Sequence, residues 1–143
     1  MNTELLAEDY ANFYETLSSS LTQEDYAVYF DENSSFEDPF QKVEGLQAIH
    51  HVFVDMYTKL HEPRFVINEV ICSHDVAYVK WKFIYAMNAK SQINTFTGVS
   101  RVTFSQQGKV LSHTDYWDAA QHVYEKIPLL GSVIRLVKRK LHA

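Results

Sequence analysis

The chain has 143 residues, 46% hydrophobic and 22% charged, the proportions of one folded domain, which excludes disorder, collagen-like repeats and a coiled coil. Net charge is −5, and it is unevenly placed. Residues 126–143 hold five cations and no acid, whereas residues 1–125 hold eight cations and eighteen acids, or −10, and an acidic body excludes a nucleic-acid surface there.

The amino-terminal third carries a helical period. Leu6, Tyr10, Phe13, Tyr14 and Leu17 recur at steps of three and four, which predicts an amphipathic helix. Ser18, Ser19 and Ser20 interrupt it. Thr22 followed by Asp25 is a helix-starting pattern, and the short helix after it turns Tyr26, Tyr29 and Phe30 inward. Asn33-Ser34-Ser35 reads as a turn, and Phe36 to Phe40 as a short extended segment stopped by Pro39. After Gly45 a third helix places Leu46, Ile49, Phe53, Met56, Tyr57 and Leu60 on one side, with Pro63 as its end.

Beyond Pro63 the period becomes that of strands. The segments 65–71, 76–87, 95–104 and 110–117 are rich in β-branched and aromatic residues, and turn residues separate them. Val79, Trp81, Phe83 and Tyr85 alternate with Lys80, Lys82 and Ile84, so one face of that strand is apolar. Three helices followed by antiparallel hairpins make an α+β order. Helices laid on a curved sheet predict a cone with a deep apolar interior. Pro128 then opens a helix in which Leu130, Val133, Ile134, Val137 and Leu141 share a face opposite Arg135, Lys138 and Arg139. The chain thus divides into a domain over 1–125 and a basic amphipathic helix over 126–143. That helix either lies weakly on an anionic membrane surface or packs on its own domain or a partner.

Cys72 is the single cysteine, so no internal disulfide forms and a reducing compartment is expected. The chain starts without a basic-then-apolar signal pattern, and no apolar run approaches about 18 residues. A cytoplasmic location is the expectation. His50 and His51 point about 100° apart on a helix, and His113 with Asp115 supplies only two ligands, so no metal site is expected.

The run from Tyr29 through Phe36-Glu37-Asp38-Pro39-Phe40, with Gly45 and the Ala48-Ile49 helix, resembles the nuclear-transport-factor-2-like superfamily. Gly108-Lys109-Val110 and His113-Thr114-Asp115-Tyr116-Trp117 are similar to its last hairpin. The nearest branches are the ketosteroid-isomerase-like and SnoaL-like polyketide-cyclase ones, and the likeness runs from residue 5 to about 120. It implies the cone fold, with three helices on a curved, mostly antiparallel sheet. It also implies a homodimer, an apolar small-molecule ligand and no cofactor. Carried over by position, Asp38 is the general base and Tyr14 the oxyanion donor. The neutral carboxylic acid that completes such an oxyanion hole falls at Ser100, a departure.

If Trp117 faces inward, so do His113 and Asp115. The pocket then holds Asp38, Tyr14, Ser100, His113 and Asp115 against Trp81, Phe83, Tyr85 and Trp117. Two carboxylates and a histidine in an apolar cleft are equipment for proton transfer next to a carbonyl. Each residue also has a structural reading: Asp38 as a turn cap, Tyr14 as a core tyrosine, His113 and Asp115 as a mutual pair. Three functions are therefore carried forward. They are a carboxylate-dependent enzyme of the isomerase, cyclase or dehydratase type, a non-catalytic binder of a lipid or polyketide, and a peripheral interaction module using residues 126–143.

Overall fold

A computed structural model describes residues 1–143. The three–four spacing forms α1 (Thr3–Glu15), capped by Asn2, whose side chain accepts from the Leu5 N–H. Thr22 and Asp25 cap each other's backbone at the start of α2 (Gln23–Ala27), the reciprocal arrangement their spacing predicts. Strand β1 (Phe30–Asp38) turns into β2 (Gln41–Glu44), and α3 (Leu46–Lys59) follows Gly45. Strands β3 (His61–Ser73), β4 (Val76–Ala86), β5 (Asn94–Phe104) and β6 (Val110–Tyr116) complete one sheet in the order β2-β1-β6-β5-β4-β3. All neighbours are antiparallel except β1 and β6, which run parallel. A short α4 (Ala119–His122), a 3-10 turn (Tyr124–Lys126) and α5 (Leu130–Leu141) end the chain.

The cone architecture is as the sequence implies, with α1 laid across β3 and β4 and α3 over β1. Val79, Trp81, Phe83 and Tyr85 are all buried, as their alternation requires. One core joins Tyr10, Phe13 and Tyr14 of α1 to Phe30, Phe36, Ile49, Phe53, Val102 and Val110. A second gathers Val79, Trp81, Phe83, Tyr85 and Phe96 on the inner face of the hairpin.

Three local expectations are corrected. Asn33-Ser34-Ser35 is not a turn but lies inside β1, because Ser35 pairs with Ser112 and the buried Ser34 Oγ–H donates to the Val110 carbonyl at 2.6 Å. Pro63 does not end α3, which stops at Lys59. The proline sits buried in β3, at an irregularity in an edge strand, where the missing N–H removes no ladder bond. Pro128 does not open α5. Its carbonyl accepts from the Leu130 N–H, so Leu129 takes φ 70° and the helix starts at Leu130.

Tyr57 on α3 has a buried hydroxyl with no hydrogen-bond partner, and burial pushes its phenol up to about 12. Tyr57→Phe removes an unpaid desolvation cost, so stability is expected to rise by about 1 kcal/mol. Urea denaturation reads the change, and a loss would mean that the hydroxyl is satisfied in solution.

Candidate active site

Positions 113 and 115 of β6 share the inner face, with Trp117 just past the strand's end, and register places Asp115 directly across from Ser100 on β5. A continuous chain of polar groups results. The Trp81 Nε1–H donates to Ser100 Oγ at 2.8 Å, and the Ser100 hydroxyl donates to Asp115 Oδ1 at 2.5 Å. His113 Nε2 lies 2.6 Å from the same oxygen, and the Tyr10 hydroxyl lies 2.8 Å from His113 Nδ1. An ionised carboxylate only accepts, so Nε2 carries the proton given to Asp115, and a neutral His113 then accepts from Tyr10 at Nδ1. The imidazole is stacked between the Tyr14 and Phe36 rings at centroid distances of 5.2 and 5.0 Å.

Two features give this chain chemical direction. Asp115 Oδ1 takes both donors, while Oδ2 has no protein partner and is not among the fully buried unpaired atoms. Tyr14 lies a long 3.4 Å from a His113 Nε2 already committed to Asp115, so its O–H is not held there and is shared only with the neighbouring Tyr10 phenol. The carboxylate that Ser100 does not provide therefore arrives from the neighbouring strand. The order serine–aspartate–histidine is not that of a nucleophilic triad, where histidine must stand between the other two to take the serine proton.

Asp38 does not join this cluster. It shares the face of Phe36 two positions along β1, but its Oδ1 accepts from the Phe40 and Gln41 N–H groups at 2.8 and 3.0 Å, and its Oδ2 from the Gln41 side chain. In this structure the expected general base is a turn cap, since two backbone donors are nearer to hand than any ligand.

The predicted deep hollow is also closed. What remains is a cavity of about 10 Å³ lined by Tyr10, Ala11, Tyr14, Ile67, Val79, Trp81, Ser100 and His113, room for about one water. Phe83, Tyr85 and Trp117 do not line it. Phe65 packs on Trp81 and Phe83, Phe83 stacks on Tyr85, and Trp117 stacks on Phe96 at 4.4 Å. At the rim His122 covers Phe96, and Tyr124 and Trp117 both meet Phe40. Tyr10 was not singled out from the sequence as a site residue. The signal was its spacing of four from Tyr14, which puts both phenols on one helix face.

Burial, with a smaller contribution from the Asp115 charge, holds the Tyr10 and Tyr14 phenols well above their ordinary 10.0. Unfolding exposes them, so the unfolded chain loses these protons first. Their contribution to stability is complete below pH 10 and is lost as pH rises through the folded-state values. Denaturation midpoints are expected to fall above pH 10, less steeply in Tyr10→Phe, and an unchanged slope in that variant would rule Tyr10 out as a cause.

Comparison with known proteins follows from this geometry. A family model described as the SnoaL-like domain matches residues 7–113. No curated protein matches the chain. A proposed SnoaL-like polyketide cyclase from Jannaschia sp. CCS1 superposes with a TM-score of 0.72 at 12% identity, covering 83% of this chain and 89% of that one. A proposed isomerase of the SnoaL-like family from Agrobacterium tumefaciens gives 0.66 at 17% identity, covering 81% and 97%. TerC, co-crystallised with polyporic acid, gives 0.65 at 18% identity, covering 82% and 90%. At such identities the structures establish a shared fold and leave chemistry to the residues. The family match over most of the chain and the six-stranded cone together mean that this protein belongs to the SnoaL-like family of the NTF2-like superfamily.

Proposed function

We propose that the chain is a small-molecule acid–base enzyme acting on an apolar carbonyl compound, with Asp115 as the proton-transferring group. One observation carries this reading: Ser100 and His113 hold Asp115 Oδ1, which leaves Oδ2 without a protein partner and not fully buried. Oδ2 takes a proton from the carbon next to the carbonyl. The electron pair moves onto the carbonyl oxygen, and the Tyr14 O–H stabilises the charge that develops there. A donor so placed contributes about 2.7–4 kcal/mol. Returning the proton to another carbon completes an isomerisation. That a relative in fold was crystallised with polyporic acid supports an organic ligand.

The test is exchange of α-protons of a panel of apolar ketones in deuterium oxide, followed by NMR, with wild type against Asp115→Asn. Exchange that depends on Asp115 supports the reading. Exchange that persists undiminished in Asp115→Asn removes Asp115 from the role. The aromatic interior gathered around Trp81, Phe83, Tyr85 and Phe96 also suits a non-catalytic binder of an apolar ligand. An apolar ligand retained in native mass spectrometry, with no exchange by any variant, selects that second reading.

A further inference from the structure

Helix α5 is seated on one side and open on the other. Gly131, Arg135 and Lys138 fall at i, i+4 and i+7, one face of the helix, and this face meets the 3-10 turn. The Arg135 Nη1–H donates to the Glu125 carbonyl at 3.0 Å, and Lys138 Nζ lies 3.0 Å from Glu125 Oε2. A Cβ at Gly131 would come within 2.0 Å of the Glu125 carbonyl oxygen, so only glycine lets the helix sit this close. The apolar stripe is elsewhere on the helix. Leu130, Val133, Val137 and Leu141 are 43%, 57%, 49% and 81% exposed, an unusual load of open aliphatic surface on twelve residues. Just ahead of it Leu129 is 85% exposed on a tight turn with positive φ, a strained conformation for a branched residue.

We infer that α5 is a docking helix for an anionic lipid surface. Charge decides the partner: residues 126–143 carry five cations and no acid on a body of −10, so only this segment is drawn to a negative surface. At 100° per residue, Lys138 stands about 40° beyond Ile134 on one flank of the stripe and Lys140 about 20° beyond Val133 on the other. Lys140, which no acid holds, lets the apolar side enter the headgroup boundary while its ammonium reaches phosphate, and Lys138 does so by exchanging Glu125 for a lipid phosphate. A second copy of the chain is a poorer occupant. Twelve residues make a strip about 18 Å by 10 Å, well short of the roughly 800 Å² per partner of a stable interface. The same 3-10 turn carries Tyr124, which touches the rim at Phe40, so the seat of α5 adjoins the rim.

The experiment is co-sedimentation of the full-length protein with vesicles of phosphatidylcholine alone and of phosphatidylcholine with phosphatidylglycerol. Pelleting is expected to be about tenfold greater on the anionic vesicles and to fall as salt is raised. Val133→Glu/Val137→Glu and, separately, Lys140→Glu are each expected to abolish most of it. Lys140 is exposed, so its variant keeps the test valid if the apolar pair misfolds. Equal pelleting on both vesicle types, or none on either, overturns the proposal. A dimer in sedimentation velocity that Val133→Glu/Val137→Glu splits, without vesicle binding, assigns the stripe to self-association and overturns it too.

Discussion

Asp115→Asn is expected to lower ketone α-proton exchange by about 10²–10⁴-fold in a protein that remains folded. The amide oxygen still accepts from the Ser100 hydroxyl and the His113 Nε2–H, so the chain from Trp81 to Tyr10 stays joined. What disappears is the unpaired carboxylate oxygen that takes the proton. Asp115→Ala separates the two roles. It leaves the Ser100 hydroxyl and the His113 N–H without an acceptor beside a histidine that is 1% exposed, and it is expected to cost about 3 kcal/mol of stability. Urea denaturation and exchange, measured on both variants, give the contrast. If Asp38→Asn removes exchange and Asp115→Asn does not, the base is at the rim and the assignment fails.

Gly98→Ala is expected to cost about 3 kcal/mol, near the top of what overpacking costs. Gly98 lies directly opposite Trp81 in the β4–β5 register. A Cβ there would stand 2.4, 2.6 and 2.9 Å from Cη2, Cζ2 and Cζ3 of the indole. A rigid ring has no flexible end to move away. Tilting it breaks the Nε1–H bond to Ser100 and drives it toward Phe65 or Phe96, whose centroids are 5.2 and 6.0 Å away. The denaturation midpoint and the tryptophan emission are expected to shift together. In Trp81→Phe the clash is relieved, so the added cost of Gly98→Ala should shrink in the double variant. An equal cost in both backgrounds would show that something other than the indole opposes the methyl group.

How much of this was legible depended on whether the signal was local. Strands β3 to β6 declare themselves because alternate residues face opposite sides whatever the partner, and Trp81, Phe83 and Tyr85 are buried for that reason. The Thr22–Asp25 cap is likewise contained within four residues. Strand β1 was only half visible. Asn33, Ser34 and Ser35 look like turn residues until parallel pairing with β6 and the Ser34–Val110 bond make them strand. Strand β2 has four residues with no apolar alternation, and only pairing with β1 defines it.

The site divides along the same line. By itself the sequence determined the α+β class and that His113, Asp115 and Trp117 fall on one side, because these follow from side-chain period and element order, whereas the inward direction of that side came from the family likeness. It also marked the amphipathic face of α5. The tertiary structure alone decided that Asp38 caps its own turn, that Asp115 answers Ser100 across the strands, that Tyr10 joins the network from α1, and that the rings close the hollow to about 10 Å³. Period tells which way a side chain points; its hydrogen-bond partner and the space left between rings depend on residues far away in the chain, which compete for the same few ångströms.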